Sequence, residues 1–179
     1  MYAKENKLKD FFRKRKNMIS LSFNSYENMW LTFSPVWDAF LIKFFDFRCS
    51  KKITAYPTFF PLFPRDIKNK CFLIPISKDL NKVKSVIAHE LLHFAFFSKL
   101  RIPYKNISHD LWLASELIVP CIFDYFNKTH NENLITTNYC LTEEKIKYAC
   151  SIWENYTRDF NFDSLVKNLI SIIQKDELL

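Results

Sequence analysis

Glycine is missing from the entire 179-residue chain. A loop that wraps its backbone N–H groups around a phosphate needs residues without Cβ. The absence therefore excludes a Walker A loop and a dinucleotide-binding fingerprint. Turns must instead be built from Asn, Asp, Ser and Pro. Long apolar runs are missing as well. The greasiest stretch, residues 111–126, is interrupted by Glu116 and Asp124, so no segment reaches the length of a membrane span. Ser20, Ser22 and Asn24 interrupt the stretch after the basic start, which argues against a secretory signal. None of the five cysteines (Cys49, Cys71, Cys121, Cys140, Cys150) belongs to a CxxC pair. An odd, unpatterned set reads as reduced, buried thiols in a cytoplasmic protein, with no disulfide frame and no thiolate zinc site.

What the chain does have is apolar bulk. Hydrophobic residues make up 49% and aromatics 17%, enough for a globular domain rather than a disordered chain. The length suits one domain over residues 1–179. The formal net charge is +7, and much of it lies at the start, where seven lysines and arginines in residues 1–16 face only Glu5 and Asp10. Such a segment can touch nucleic acid or acidic lipid. Without an interleaved aromatic platform, it reads better as a solvated helical face.

Residues 3–16 read as a charged helix. Residues 18–23 alternate apolar and polar, the pattern of a half-buried strand. Ser34-Pro35 reads as a helix start, followed by a core-facing stripe of Trp37, Phe40, Leu41, Phe44 and Phe45. Three prolines make residues 53–70 an irregular connection. Its aromatics Tyr56, Phe59, Phe60 and Phe63 suit the core better than a groove. Residues 71–76 read as a strand, placed at a sheet edge by Pro75, which has no N–H to donate. A helix runs from about Ser77 or Asp79 to Leu100, and a second from Ser108 to Val119, where Pro120 ends or kinks it. Residues 121–126 are a possible continuation, and 127–138 read as a polar loop. The C-terminal part, residues 140–179, holds two further helices. Thr142 opens the first, with Ile146, Ala149, Ile152 and Trp153 inward. Asp163 or Ser164 caps the second, with Leu165, Leu169, Ile172 and Ile173 inward. The fold class is α+β, mostly helical with a small N-terminal sheet.

Within the first of these central helices lies His89-Glu90-Leu91-Leu92-His93, an HExxH sequence. Residues four apart on a helix lie about 40° apart around its axis, one turn up. Both imidazoles can then reach one ion, at about 2.0–2.1 Å for zinc. Glu90 points further round, where it can take a proton from a metal-bound water. Ile87, Leu91 and Phe94 fall on the opposite side of the helix, Val83 extends that greasy back, and Val86 and Ala88 leave little bulk beside the site. A bare HExxH match is weak evidence, but this one sits mid-helix and in phase with the apolar face. It also holds two of only four histidines.

Zinc needs a third protein ligand and an open position. Glu116 is the leading candidate, because a carboxylate in so apolar a stretch is costly unless paired or bound to a cation. The alternative is a Glu at the solvent edge of an amphipathic helix. His109, two turns earlier, has three readings: the ligand in place of Glu116, a hydrogen-bond donor to a developing oxyanion, or a helix cap beside Asp110. Tyr104 is a second oxyanion candidate, with a surface role competing. His130 reads as a surface histidine.

With HExxH followed after 22 residues by Glu116, and Trp112 one turn before it, the chain resembles the gluzincin clan of metallopeptidases, above all its small single-domain minigluzincins. It also resembles HExxH proteins ending in two helices with an Ile-Trp pair (Ile152-Trp153) and an Asn-Phe-Asp turn (Asn161, Phe162, Asp163). The likeness covers about residues 72–120. It implies a zincin-like fold with a small sheet, an active-site helix and a glutamate helix. It implies Zn2+ held by His89, His93 and Glu116, Glu90 as general base, and a peptide or protein substrate lying along residues 71–76. Many gluzincins carry an Asp four residues after the ligand Glu, where this chain has Pro120. Asp110, Asp124 or a backbone carbonyl is then expected to orient the imidazoles. The expected activity is hydrolysis of peptide bonds. The competing expectation is a zincin-like module that binds metal or protein and cleaves nothing.

Overall fold

The computed structural model describes residues 2–48, 52–59, 65–136 and 142–174, with side chains described from residue 23 onward, Tyr104 excepted. The elements run α1 (Tyr2–Phe45), β1 (Thr54–Thr58), β2 (Arg65–Asp66), β3 (Cys71–Pro75), α2 (Leu80–Leu100), α3 (His109–Leu117), α4 (Val119–His130), α5 (Glu143–Asp159) and α6 (Phe162–Gln174), with a short 3-10 turn at Tyr104–Asn106. The fold is α+β and mostly helical, as expected.

Four expectations for the N-terminal half are corrected. Residues 18–23 are helical, and Pro35 lies inside α1 rather than at its start. A short alternation is weak evidence for a strand when helix continues on both sides. Residues 53–70 are not wholly irregular, because they supply β1 and β2. The sheet order is β1-β3-β2, with β1 parallel and β2 antiparallel to β3. The run around residues 71–76 is therefore the central strand. Pro75 is tolerated because it is the last residue of β3.

The core expectation for α1 holds. Trp37, Phe40, Leu41, Phe44 and Phe45 are buried, and they meet rings of α4 and α5. Trp37 sits edge-on to Phe126 at 4.8 Å, and Phe44 tilts against Trp153 at 5.2 Å. Tyr56 and Phe59 are exposed instead of core. Phe60 and Phe63 lie outside the described residues.

The C-terminal helices form near their expected positions. Ala149 and Trp153 of α5 are buried, and so are Leu165, Leu169 and Ile173 of α6. Thr142 caps α5. The cap of α6 is Asn161, whose Oδ1 accepts from the Ser164 N–H at 3.0 Å, two or three residues earlier than expected. Helix α4 runs on to His130, into the expected loop.

Cys121 of α4 and Cys150 of α5 form a disulfide. The expectation of five reduced thiols is corrected, and the cysteine argument for a cytoplasmic setting goes with it. Cys71 is free, while Cys49 and Cys140 lie outside the described residues. Among the described residues, no helix is long and apolar enough to cross a membrane.

Without glycine, the chain turns through residues that carry a Cβ. Asp46, Lys70, Arg101, Asn131 and Phe160 all have φ between 53° and 55°. Arg101, Asn131 and Phe160 close α2, α4 and α5 in this left-handed conformation.

Candidate metal centre

Helix α2 is fixed at its N-terminus by three hydrogen-bonded layers. The Asp79 carboxylate accepts from the backbone N–H groups of Asn81 and Lys82 at 3.0 and 3.1 Å. Ser77 Oγ accepts from the Asp79 N–H at 3.0 Å. Tyr26 of α1 donates to the Ser77 carbonyl at 2.9 Å and accepts the Ser77 N–H at 2.7 Å. The long N-terminal helix thus holds the junction between β3 and α2. Further along, Ser85 Oγ accepts from the Ile135 N–H at 2.9 Å, and Lys84 pairs with Glu132 at 2.6 Å. These bonds staple the segment after α4 against α2.

One turn past Ser85, the two histidines project toward α3. Ser108 caps α3, its Oγ accepting from the Leu111 N–H at 3.2 Å. The break between α3 and α4 falls at Ile118, with Pro120 in the first turn of α4, so Glu116 lies in the last turn before that break. Its carboxylate meets both rings, with Oε2 3.2 Å from His89 Nε2 and Oε1 3.3 Å from His93 Nε2. The two Nε2 atoms are 2.8 Å apart. The side chain of His93 is fully buried, while those of His89 and Glu116 are 14% and 16% exposed. What solvent reaches the cluster therefore meets His89 and Glu116, not His93.

The donor set suits a divalent ion. Two ligand atoms on one tetrahedral zinc, each about 2.0–2.1 Å from it, lie about 3.3 Å from each other. Each ring already lies near that distance from Glu116, each from a different oxygen of the carboxylate. Two imidazole nitrogens and a carboxylate oxygen are also the donors zinc accepts.

Sequence reasoning missed one member of the cluster. Arg65 of β2 donates from Nη2 to Glu116 Oε1 at 2.9 Å and from Nη1 to Glu90 Oε2 at 3.3 Å. Its placement follows from the sheet. Asp66 closes the β2–β3 turn by accepting from the Asn69 backbone and side chain at 2.9 and 2.7 Å. The hairpin then sets Arg65 opposite Phe72. Cross-strand partners share a face, and Phe72 is buried with its ring 6.3 Å from Phe94 of α2. Arg65 is thereby aimed at the same helix. The usable signal was the Asp66–Asn69 spacing before a run that buries Phe72 and Ile74.

Electrostatics separate the roles. Burial pushes the Glu90 carboxyl above its ordinary range, against the pull of His89 and Arg65. Burial also drives the His93 pKa down to about 3, and the nearby Arg65 charge adds to this, so the ring is a neutral imidazole at neutral pH. Burial alone would raise Glu116. The hydrogen bonds from His89 and His93 outweigh that and hold it ionised, below the usual carboxylate range.

Among the described residues, neither Asp110 nor Asp124 supports an imidazole. His93 Nδ1 is buried without a partner. Asp110 instead accepts from Gln174, and Asp124 pairs with Lys128 at the surface. His109 is exposed and stacks on Trp112 with ring centroids 5.9 Å apart. Among the described residues, the metal-type cluster consists of His89, His93 and Glu116, without His109. The Tyr104 side chain lies outside the described residues. Trp112 is 41% exposed.

The chain matches no protein-family profile, no curated protein and no solved structure.

Proposed function

We propose that this chain is a zinc-dependent peptidase of the gluzincin type, hydrolysing peptide bonds with Glu90 as general base. One observation carries the reading. His89, His93 and Glu116 offer ligand atoms that all lie within 4.8 Å of one another, with a buried carboxylate, Glu90, adjacent in the chain. Zinc bound there would lower the pKa of its water and polarise a carbonyl. His89, His93 and Glu116 would hold the ion. Glu90 takes a proton from the attacking water and passes it to the leaving amine as the C–N bond breaks. Its raised pKa suits a group that must both accept and return a proton. A neutral His93 carries no positive charge to repel the ion.

The test is metal content together with turnover. Purified protein should carry about one zinc per chain and cleave a fluorogenic peptide library, and His93→Ala should lose both. A protein grown with ample zinc that holds none overturns the reading.

A second reading, a module that holds metal without turnover, is favoured by the Arg65 contact to Glu90. A guanidinium on the base competes with the water it must reach. Metal retained by a wild-type chain that cleaves no peptide would support this reading.

A further inference from the structure

Arg65 changes the charge of the cluster. With ionised Glu90 and Glu116, its guanidinium leaves these groups one charge negative. A divalent ion at the histidines would turn that into one charge positive. The side chains concerned are 6–16% exposed, so solvent only partly compensates the excess, and an uncompensated charge in such a place is costly. The missing partner is an anion. Arg65 can also bind one directly. Its contacts to Glu90 and Glu116 account for two of five guanidinium N–H groups, set in a fork that matches a carboxylate. The short strand β2 is one of the two sheet edges, where an extended peptide can lie.

On this basis, and resting on the metal-site reading above, we propose that Arg65 is a specificity-determining residue that makes the metal-loaded site take a peptide by its free C-terminal carboxylate. Internal peptide segments lack that charge and are bound less well.

Cobalt(II) in place of zinc provides a readout that does not depend on turnover. The full chain is loaded with cobalt and titrated with acetyl-Ala-Phe, with its C-terminal amide, and with acetate, following the visible absorption of the metal. The free acid should bind about 10- to 100-fold more tightly than the amide, the worth of one charge-assisted contact. Acetate should bind more weakly than the free acid. Arg65→Met should keep cobalt and lose the preference for acid over amide. Arg65→Lys keeps the charge without the fork and should show a reduced preference, which serves if the Met variant does not fold. Equal affinity for acid and amide overturns the proposal, as does acetate binding as tightly as the peptide acid, or a preference unchanged in both variants. Failure of the wild-type chain to bind cobalt is a different result and overturns the metal reading itself.

Discussion

His89 Nε2 and His93 Nε2 stand 2.8 Å apart, closer than two ligands on one tetrahedral zinc, which lie about 3.3 Å from each other. An ion bound between the rings must spread them. Each ring already stands 3.2–3.3 Å from one oxygen of Glu116. Loss of any of the three residues should therefore reach well beyond the 10- to 100-fold that removing a supporting hydrogen bond typically costs. Competition titration against a zinc chelator should show His89→Ala, His93→Ala and Glu116→Ala each weakening zinc by more than about 100-fold. A Glu116→Ala variant that binds zinc like wild type removes Glu116 from the ligand set.

Glu90 differs from its neighbours in being buried beside the cluster without belonging to it. Glu90→Gln should leave zinc affinity within a few-fold of wild type and lower peptide hydrolysis by about 10²–10⁴. The decisive pair of measurements is zinc content and initial rate on one preparation. Unchanged turnover would assign the base elsewhere.

The histidine pair, Glu90 and Glu116 were legible in the sequence because their geometry is local or forced by composition. HExxH needs only one helix, and a carboxylate amid Leu, Ile and Val needs a partner wherever it lands. Arg65 was not legible because its position depends on a long-range pairing, Arg65 opposite Phe72. Three nearby prolines made that stretch look irregular. The aromatic core of α1 was legible from its 3.6-residue stripe, but the start of the helix was not. Pro35 resembles a first-turn proline whether or not helix precedes it. Cys121 and Cys150 are 29 residues apart in sequence and join two helices, and no spacing rule reveals such a bridge.

His93 gives the ion-free protein a characteristic acid sensitivity. Its folded pKa is lowered to about 3 from 6.5. In the window between those values the unfolded chain binds a proton that the folded chain refuses, so stability rises with pH there. The contribution is present above about pH 6.5 and is lost as pH falls toward 3. Urea unfolding of chelator-treated protein should show stability dropping by a few kcal/mol from pH 7 to 4. His93→Phe, which cannot titrate, should flatten that limb relative to wild type. Identical slopes would mean that His93 charges without cost.

Tyr156 ties α5 to the end of α1. Its hydroxyl donates to the Phe44 carbonyl, and burial, helped by Asp159, pushes its pKa up to about 12. Tyr156→Phe keeps the ring among Phe44, Trp153 and Phe162 but leaves a buried carbonyl without this donor. The expected cost is about 1–3 kcal/mol. In a chain of this size each kcal/mol lowers Tm by about 2–4 °C. A thermal melt within 1 °C of wild type, about the scatter of such a measurement, would show that water replaces the hydroxyl.

The left-handed caps offer the opposite kind of change, because the chain uses no glycine where glycine is cheapest. Arg101 closes α2 at φ 55°, its backbone N–H donating to the Ser98 carbonyl. A residue with a Cβ is strained there by about 1–2 kcal/mol. The Arg101 side chain is exposed, so Arg101→Gly removes the strain and little packing. It should stabilise by about 0.5–1 kcal/mol, net of the added freedom of the unfolded chain. Asn131 has nearly the same φ, but Asn tolerates the left-handed region, so Asn131→Gly should gain less. Phe160 shares the geometry but stacks on Phe44 with centroids 5.7 Å apart. Phe160→Gly should destabilise, because the lost ring outweighs the relieved strain. The order Arg101→Gly, Asn131→Gly, Phe160→Gly in denaturant midpoint separates backbone strain from side-chain packing. Phe160 is 46% exposed, so a Phe160→Gly variant as stable as Arg101→Gly would show that its stacking on Phe44 contributes nothing.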